Sequence, residues 1–153
     1  MSLTRLVDDL LDVSRITRGK INLTRQVVEL EALISRAVET VHPLLDEHEH
    51  QLTLELPELG VKVFGDPTRL TQAIANVLGN AAKYTDNGGQ ISVSAVVCGT
   101  DVEIRIRDDG IGIRPELLPH VFELFTQLDR NDGRTQGGLG IGLALVQRLV
   151  QMH

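Results

Sequence analysis

The stretch Asp66–Thr85, DPTRLTQAIANVLGNAAKYT, decides how the rest of the chain is read. Asp66 offers a side-chain acceptor to the first N–H groups of a helix, and Pro67 fits the first turn, where no N–H is needed. Leu70, Ala73, Ile74, Val77, Leu78 and Ala81 then recur at intervals of three and four, the spacing of one buried helical face. This predicts a helix over 66–84. A second face, about a third of a turn away, carries Arg69, Gln72, Asn76, Asn80 and Lys83. A solvated stripe is the plain reading of that face, but such stripes are usually Glu, Lys and Gln. Asn competes for backbone hydrogen bonds, and Gly79 beside it weakens the helix further. Two asparagines one turn apart are a costly choice unless a short amide has to reach something. The Asn carbonyl oxygen is a hard ligand that suits Mg²⁺, an ion held by few protein groups together with phosphates, which Lys83 would meet.

Toward the C-terminus, DNGG (86–89) is a turn signal, and QISVSAVV, a Gly-Thr turn and DVEIRIRD read as a hairpin. Period two points Val102, Ile104, Ile106 and Asp108 to the core and Asp109 to solvent. A carboxylate ending a buried face needs a partner. Gly110 and Gly112 remove side chains and let a flat ligand approach, so that Asp108 could accept a hydrogen bond from an exocyclic amine. An Asp-capped turn is the alternative. GGLGIGL (137–143) opens a helix, IGLALVQRLVQMH, and backbone N–H groups at such a start favour phosphate. RPELLPHVFELF (114–125) reads as a further helix, followed by a polar glycine-bearing loop to Gly138.

Toward the N-terminus, residues 31–47 carry a helical stripe interrupted at Pro43, and QLTLEL and VKVF alternate as short strands. Leu3, Leu6, Leu10 and Val13 in LTRLVDDLLDVSRI follow the a/d spacing of a helix seam, expected to belong to another unit. RQVVELEAL (25–33) begins a new segment. Strands and helices alternate without parallel βαβ regularity, which predicts an α+β fold.

With Lys+Arg 15 against Asp+Glu 21, a net charge of -6 and 3% aromatic residues, the chain lacks the basic, stacking surface of a nucleic-acid binder. A lone Cys98 rules out an internal disulfide and fits a reducing compartment; its apolar strand predicts a small buried residue. No stretch approaches the roughly 18 apolar residues of a membrane span, and no signal peptide is evident. EHEH (47–50) offers His48 and His50 as metal ligands, with a solvated helix end the preferred reading.

In order, NVLGN, DDGIGI, VFELF and GLGIG resemble the N, G1, F and G2 boxes of the catalytic ATP-binding domain of sensor histidine kinases. The resemblance covers residues 27–153, and LLDVSRITRGKINL resembles the end of that family's second dimerisation helix. It implies a two-layer α/β sandwich of the Bergerat type, a mixed sheet covered by helices on one face. Residues 1–20 would be the end of the dimerisation helix and 21–153 the catalytic domain, apparently without its final strand hairpin. By resemblance Asn80 is the Mg²⁺ ligand, Asn76 contacts phosphate or Mg²⁺-bound water, Lys83 contacts phosphate, Tyr84 lies against adenine and Asp108 reads its amino group. Gly110 and Gly112 belong to the same ATP site. Residues 126–138 would form an ATP lid carrying Arg134, with Phe122 and Phe125 packing its base, and Gly138, Leu139, Gly140, Gly142 and Leu143 would complete the phosphate side.

Gyrase- and Hsp90-like relatives place a glutamate one turn before the Mg²⁺ asparagine to activate water. Asn76 stands there, and an amide cannot accept a proton at neutral pH, which favours phosphoryl transfer over hydrolysis. An ATPase, a serine kinase of the anti-sigma type and a silent interaction module are the alternatives. The resemblance further implies ATP and Mg²⁺ as cofactors, an acceptor histidine on a dimerisation helix outside this chain, a homodimer, a downstream receiver domain and a cytoplasmic setting, with a parent that can be membrane-anchored. No catalytic histidine is expected within the chain.

Overall fold

The structure, a computed structural model, describes residues 3–58, 60–126 and 140–153. In chain order the elements are α1 (Leu3–Thr17), β1 (Gln26–Glu29), α2 (Leu30–Glu47), β2 (Gln51–Glu55), β3 (Lys62–Gly65), α3 (Pro67–Tyr84), β4 (Gln90–Cys98), β5 (Asp101–Asp108), a 3₁₀ turn (Leu118–His120) and α4 (Gly142–Gln151). They fall into two compact units, Thr24–Gly112, and Met1–Leu23 with Ile113–His153.

In Thr24–Gly112, β2, β4 and β5 make a mixed sheet, β2 parallel and β5 antiparallel to β4. The expected hairpin forms in a register that sets Val93 opposite Ile106 and Ala95 opposite Ile104. Because side chains alternate along a strand, this register gathers Ile91, Val93 and Ala95 on one face, all buried. Leu33, Ile34 and Ala37 of α2 and Ile74, Leu78 and Ala82 of α3 are buried in the same core. Removing such a Leu or Ile side chain from water contributes about 1.5–3 kcal/mol each. The row Thr53–Ser92–Arg107 crosses the opposite face. This is the expected α+β two-layer arrangement, with helices on one face.

Three places in this unit depart from or add to what the sequence predicts. Gln26–Glu29, in the segment that begins at Arg25, is a strand, a state the sequence left unassigned. It pairs antiparallel with β3, Val27 opposite Phe64, in a sheet of its own. α2 runs through Pro43 without interruption. Pro43 lies on the exposed face between buried Val41 and Leu45, so the carbonyl that loses its N–H partner turns to water while burial on either side holds the helix. Cys98 is also exposed rather than buried, because β4 ends there against the Gly99–Thr100 turn.

In the other unit α1 contacts α4, with Asp12 and Ile16 of α1 buried and Leu3, Val7, Leu10 and Leu11 exposed. Leu145 and Leu149 of α4 are fully buried. The segment RPELLPHVFELF is not an α-helix. Leu117, His120 and Glu123 each donate an N–H three residues back, and only Leu118–His120 is 3₁₀. Pro119 has no N–H to give a carbonyl four residues back, which keeps the segment from forming a continuous α-helix. No helix among the described residues is long and apolar enough to cross a membrane.

Candidate functional site

The site-bearing helix is fixed first at its N-terminus. Asp66 Oδ1 accepts from Thr68 N and Arg69 N at 3.1 and 3.2 Å, and Oδ2 accepts from Thr24 N at 2.9 Å. Burial alone would raise the Asp66 pKa. The three backbone N–H donors and the Arg69 charge outweigh it and hold the carboxyl below its ordinary value. On the polar face of α3, Arg69 Nη1 donates to Gln72 Oε1 at 3.0 Å, so the first half of that face is engaged within the helix.

The second half differs. Asn76 is buried, at 7% exposure, while Asn80, Lys83 and Tyr84 are half-buried. A buried amide does not belong to a solvated stripe, which weighs against the plain reading of this face. The last carbonyls of any helix lack intrahelical donors. Here Ile111 N donates to Tyr84 O at 3.1 Å, and a histidine nitrogen, His50 Nε2, lies 2.8 Å from Ala82 O.

The first of these bonds brings the Asp108–Gly112 loop to the end of α3. Gly110 makes the approach possible: a Cβ there would run into the Tyr84 carbonyl oxygen, with the carbonyl carbon at 2.9 Å. The room left by its missing side chain is taken up by the protein's own Tyr84 carbonyl. Gly112 is different, at φ +71° with nothing within 4 Å of where a Cβ would stand, so space remains beside it. Asp108 lies on the inward face but is exposed, not buried, because the strand runs past the helices that cover Ile104 and Ile106. Its Oδ1 accepts from Gly110 N at 2.9 Å, the Asp-capped turn, and Oδ2 has no hydrogen bond among the described residues. Asp109 Oδ1 accepts from Gln90 N at 2.9 Å and so fastens the start of β4.

Asn76, Asn80, Lys83, Tyr84, Asp108, Gly110 and Gly112 thus stand in one unit, on one helix end and the loop bonded to it. Gly140, Gly142 and Leu143 belong to the other unit. There Gly140 (φ +68°) accepts from Phe125 N at 3.0 Å, and a Cβ on it would meet Thr126 O at 2.5 Å. Phe125 itself has φ +65°, and the rings of Phe122 and Phe125 are exposed, so the backbone rather than the rings makes this contact. Arg134, Gly138, Leu139 and, apart from Thr126, the expected lid of residues 126–138 lie outside the described residues.

No group of three or more His, Cys, Asp or Glu stands together to hold a metal among the described residues. A Mg²⁺ held by one amide oxygen and a ligand's phosphates needs no such group, and half-buried Asn80 beside Lys83 fits that chemistry. His48 stands at the end of α2, as its C-cap, with an exposed side-chain contact, whereas His50 beyond it is partly buried rather than solvated. His48 Nδ1 lies 2.9 Å from Asn87 Oδ1, and the two rings stack 5.5 Å apart. The sequence offered no signal for the His50–Ala82 contact, which joins residues 32 apart.

Residues 65–153 match the family of histidine kinase-, DNA gyrase B- and HSP90-like ATPases. The chain is 32% identical over 157 residues to hybrid signal transduction histidine kinase L of Dictyostelium discoideum, covering 99% of this chain and 9% of that protein. It is 32% identical over 151 residues to the sensor-like histidine kinase SenX3 of Mycolicibacterium smegmatis, covering 99% and 39%. Among solved structures, full-length ShkA in complex with AMPPNP superposes with a TM-score of 0.82 at 29% identity, covering 97% of this chain and 30% of that one. The chain spans less than half the length of these relatives. With boxes in family order on a two-layer fold, and with kinases as its relatives, the chain belongs to the histidine kinase-, DNA gyrase B- and HSP90-like ATPase family, on its sensor histidine kinase side.

Proposed function

We propose that this chain is the ATP-binding catalytic domain of a sensor histidine kinase, passing the γ-phosphoryl group of ATP to a histidine on a dimerisation helix in two-component signalling. The observation that carries the reading is the pair Asn76 and Asn80, one turn apart on the helix whose end is bonded to the Asp108–Gly112 loop. An amide at 76, where a water-activating ATPase needs a carboxylate, leaves the site able to position a nucleotide but without a base to activate water.

In this reading Asp108 Oδ2 accepts from the adenine amino group, Tyr84 lies against the ring, and Gly112 leaves the space for it. Lys83 and Asn76 face the phosphates, and Asn80 holds Mg²⁺. Bound there, Mg²⁺ neutralises phosphate charge during transfer. Arg134 and the backbone N–H groups of Gly138, Leu139, Gly140, Gly142 and Leu143 are the remaining phosphate donors, as befits a glycine-rich helix start. α1, with its exposed Leu3, Val7, Leu10 and Leu11, is the end of a dimerisation helix, and the working protein is a cytoplasmic homodimer or the cytoplasmic part of an anchored one. Its product histidine feeds a receiver domain, in the same chain or a separate one.

Titration of the chain with ATP, with and without Mg²⁺, tests the first half. Asn80→Ala is expected to remove most of the Mg²⁺ dependence; unchanged Mg²⁺ dependence overturns the metal assignment. Mixing the chain with labelled ATP and a separately supplied dimerisation-helix domain tests the second half. Acid-labile label is expected on the acceptor, and none at millimolar acceptor, where loss of covalent linkage is compensated, overturns the kinase reading.

A further inference from the structure

We propose that His50 is a positioning residue for nucleotide binding, fixing the last turn of α3 and with it Lys83 and Tyr84. The inference rests on the ATP-site reading above.

The geometry begins with the Ala82 carbonyl, which lies in the last turn of α3 and has no intrahelical donor. A carbonyl only accepts, so at 2.8 Å His50 Nε2 must be the protonated nitrogen and the donor. The bond is partly buried, where a donor facing a helix C-terminus is favoured by the helix dipole. In the neutral ring that leaves Nδ1 as the unprotonated nitrogen. Nδ1 is buried with no hydrogen-bond partner among the described residues, which is tolerable for an acceptor and costly for a second N–H. One tautomer alone therefore fits.

The ring is itself held in place. His50 N donates to Leu45 O and Gln51 N to Gly89 O, both at 2.9 Å. The His50 ring stacks on His48 with 19° between planes, and His48 is tied to the α3–β4 turn twice: its Nδ1 to Asn87 Oδ1, its carbonyl oxygen by accepting from Gly88 N at 2.9 Å. Between the two histidines Glu49 sits at φ +55°, a conformation that side chains other than glycine seldom adopt. This residue stands between the ring on the last turn of α3, His50, and the ring on the α3–β4 turn, His48. With Ile111 N on the Tyr84 carbonyl, two donors 61 residues apart (111 minus 50) thus hold the same turn, one from each side of Lys83. His50 does not need to touch nucleotide; it acts through the backbone that aims Lys83 and Tyr84.

A merely structural histidine would cost stability when removed but leave the affinity of the folded molecules alone. The test is calorimetric titration of the 153-residue chain with ADP and Mg²⁺, well below the melting temperature and with binding stoichiometry recorded. His50→Phe keeps a flat ring and removes the donor; His50→Gln keeps an N–H at similar reach; His42→Phe, on the exposed face of α2, is the control. Affinity is expected to fall about five- to tenfold in His50→Phe, as for the loss of one hydrogen bond, and to return to within about twofold of the parent in His50→Gln. Affinity within twofold in His50→Phe, or His50→Gln as weak as His50→Phe, overturns the proposal. If the unsubstituted chain binds no adenine nucleotide, it is the parent reading that fails. Should His50→Phe not fold, histidine ¹⁵N spectra of the unsubstituted chain decide. His50 must carry its proton on Nε2 at neutral pH, and that N–H must shift when ADP is added; a proton on Nδ1, or an Nε2–H that ignores ADP, overturns it.

Discussion

The two ends of α3 are secured by opposite means. At the N-terminus one carboxylate, Asp66, gathers three backbone N–H groups, two from its own helix and one from Thr24. At the C-terminus two separate donors, His50 and the Ile111 amide, each take one carbonyl. The first end is charged, buried and gathered on one side chain, although one of its donors, Thr24, lies 42 residues away. The second is assembled from segments distant in sequence, and half-buried Lys83 and Tyr84 stand within it. An anchor made of one residue serves stability, whereas a working end made of several can be aimed.

The comparison is most sharply broken at the anchor. Asp66→Ala should cost about 2 kcal/mol of stability, the upper range for losing an N-cap, read as a lower urea midpoint with an unchanged slope. ADP affinity of the molecules still folded should stay within about twofold; a larger loss would mean that the anchor also aims the site. The same carboxyl sets an acid dependence. Its folded pKa lies below the ordinary carboxylate value, so an unfolded chain binds this proton more readily than the folded one. Its contribution is present above the ordinary value of about 4 and fades as pH falls through the lower folded value. Asp66→Ala should therefore flatten the acid limb of the stability profile, and an identical limb in the substituted chain would show that other groups set it.

At the working end Gly110→Ala should be somewhat less costly to the fold, about 1–2 kcal/mol of strain, because the displaced backbone belongs to a loop. Its effect on ADP affinity should exceed tenfold, since the added Cβ pushes the Tyr84 carbonyl away from the Ile111 amide. Gly112→Ala has open space and meets only the penalty of positive φ. Equal affinity losses from the two would show that the Gly110–Tyr84 contact does not aim the site.

The smallest effect separates neighbouring acids. Asp108→Asn should weaken ADP binding by about 1 kcal/mol, in the range of one exposed hydrogen bond, while Asp109→Asn should leave affinity alone and loosen the start of β4 instead. Comparable affinity losses would remove the distinction drawn from Asp108 Oδ2 and the Asp109–Gln90 bond.

What could be read from sequence follows the same division. The start of α3 was legible because cap, proline and periodicity are all local, and so were the β4–β5 hairpin and the α4 helix. β1 was not, since Val27 pairs with Phe64, 37 positions on (64 minus 27), and only that partner strand makes these four residues a strand. Pro43 misled because the penalty for proline is local and the burial that overrides it is not. Pro119 is a local signal against a continuous helix over 114–125, and the turns around Leu118–His120 follow it. The strand period placed Asp108 on the correct face but said nothing of how far the covering helices extend. The box residues showed what chemistry was on offer; the contacts that hold their helix end, Gly110 on Tyr84 and His50 on Ala82, depend on folding.

The parallel pairing of β2 with β4 has a kinetic consequence. Parallel neighbours cannot be joined by a tight turn, and the segment between Glu55 and Gln90 contains β3 and the whole of α3. The helix bearing Asn76, Asn80 and Lys83 is therefore part of the crossover that lets the sheet close. The loop-closure entropy of that pairing is recovered only when α3 lies on the strands, so this pairing is expected to be the slow step for the unit. During synthesis or refolding, a closed sheet and a placed α3 should appear together.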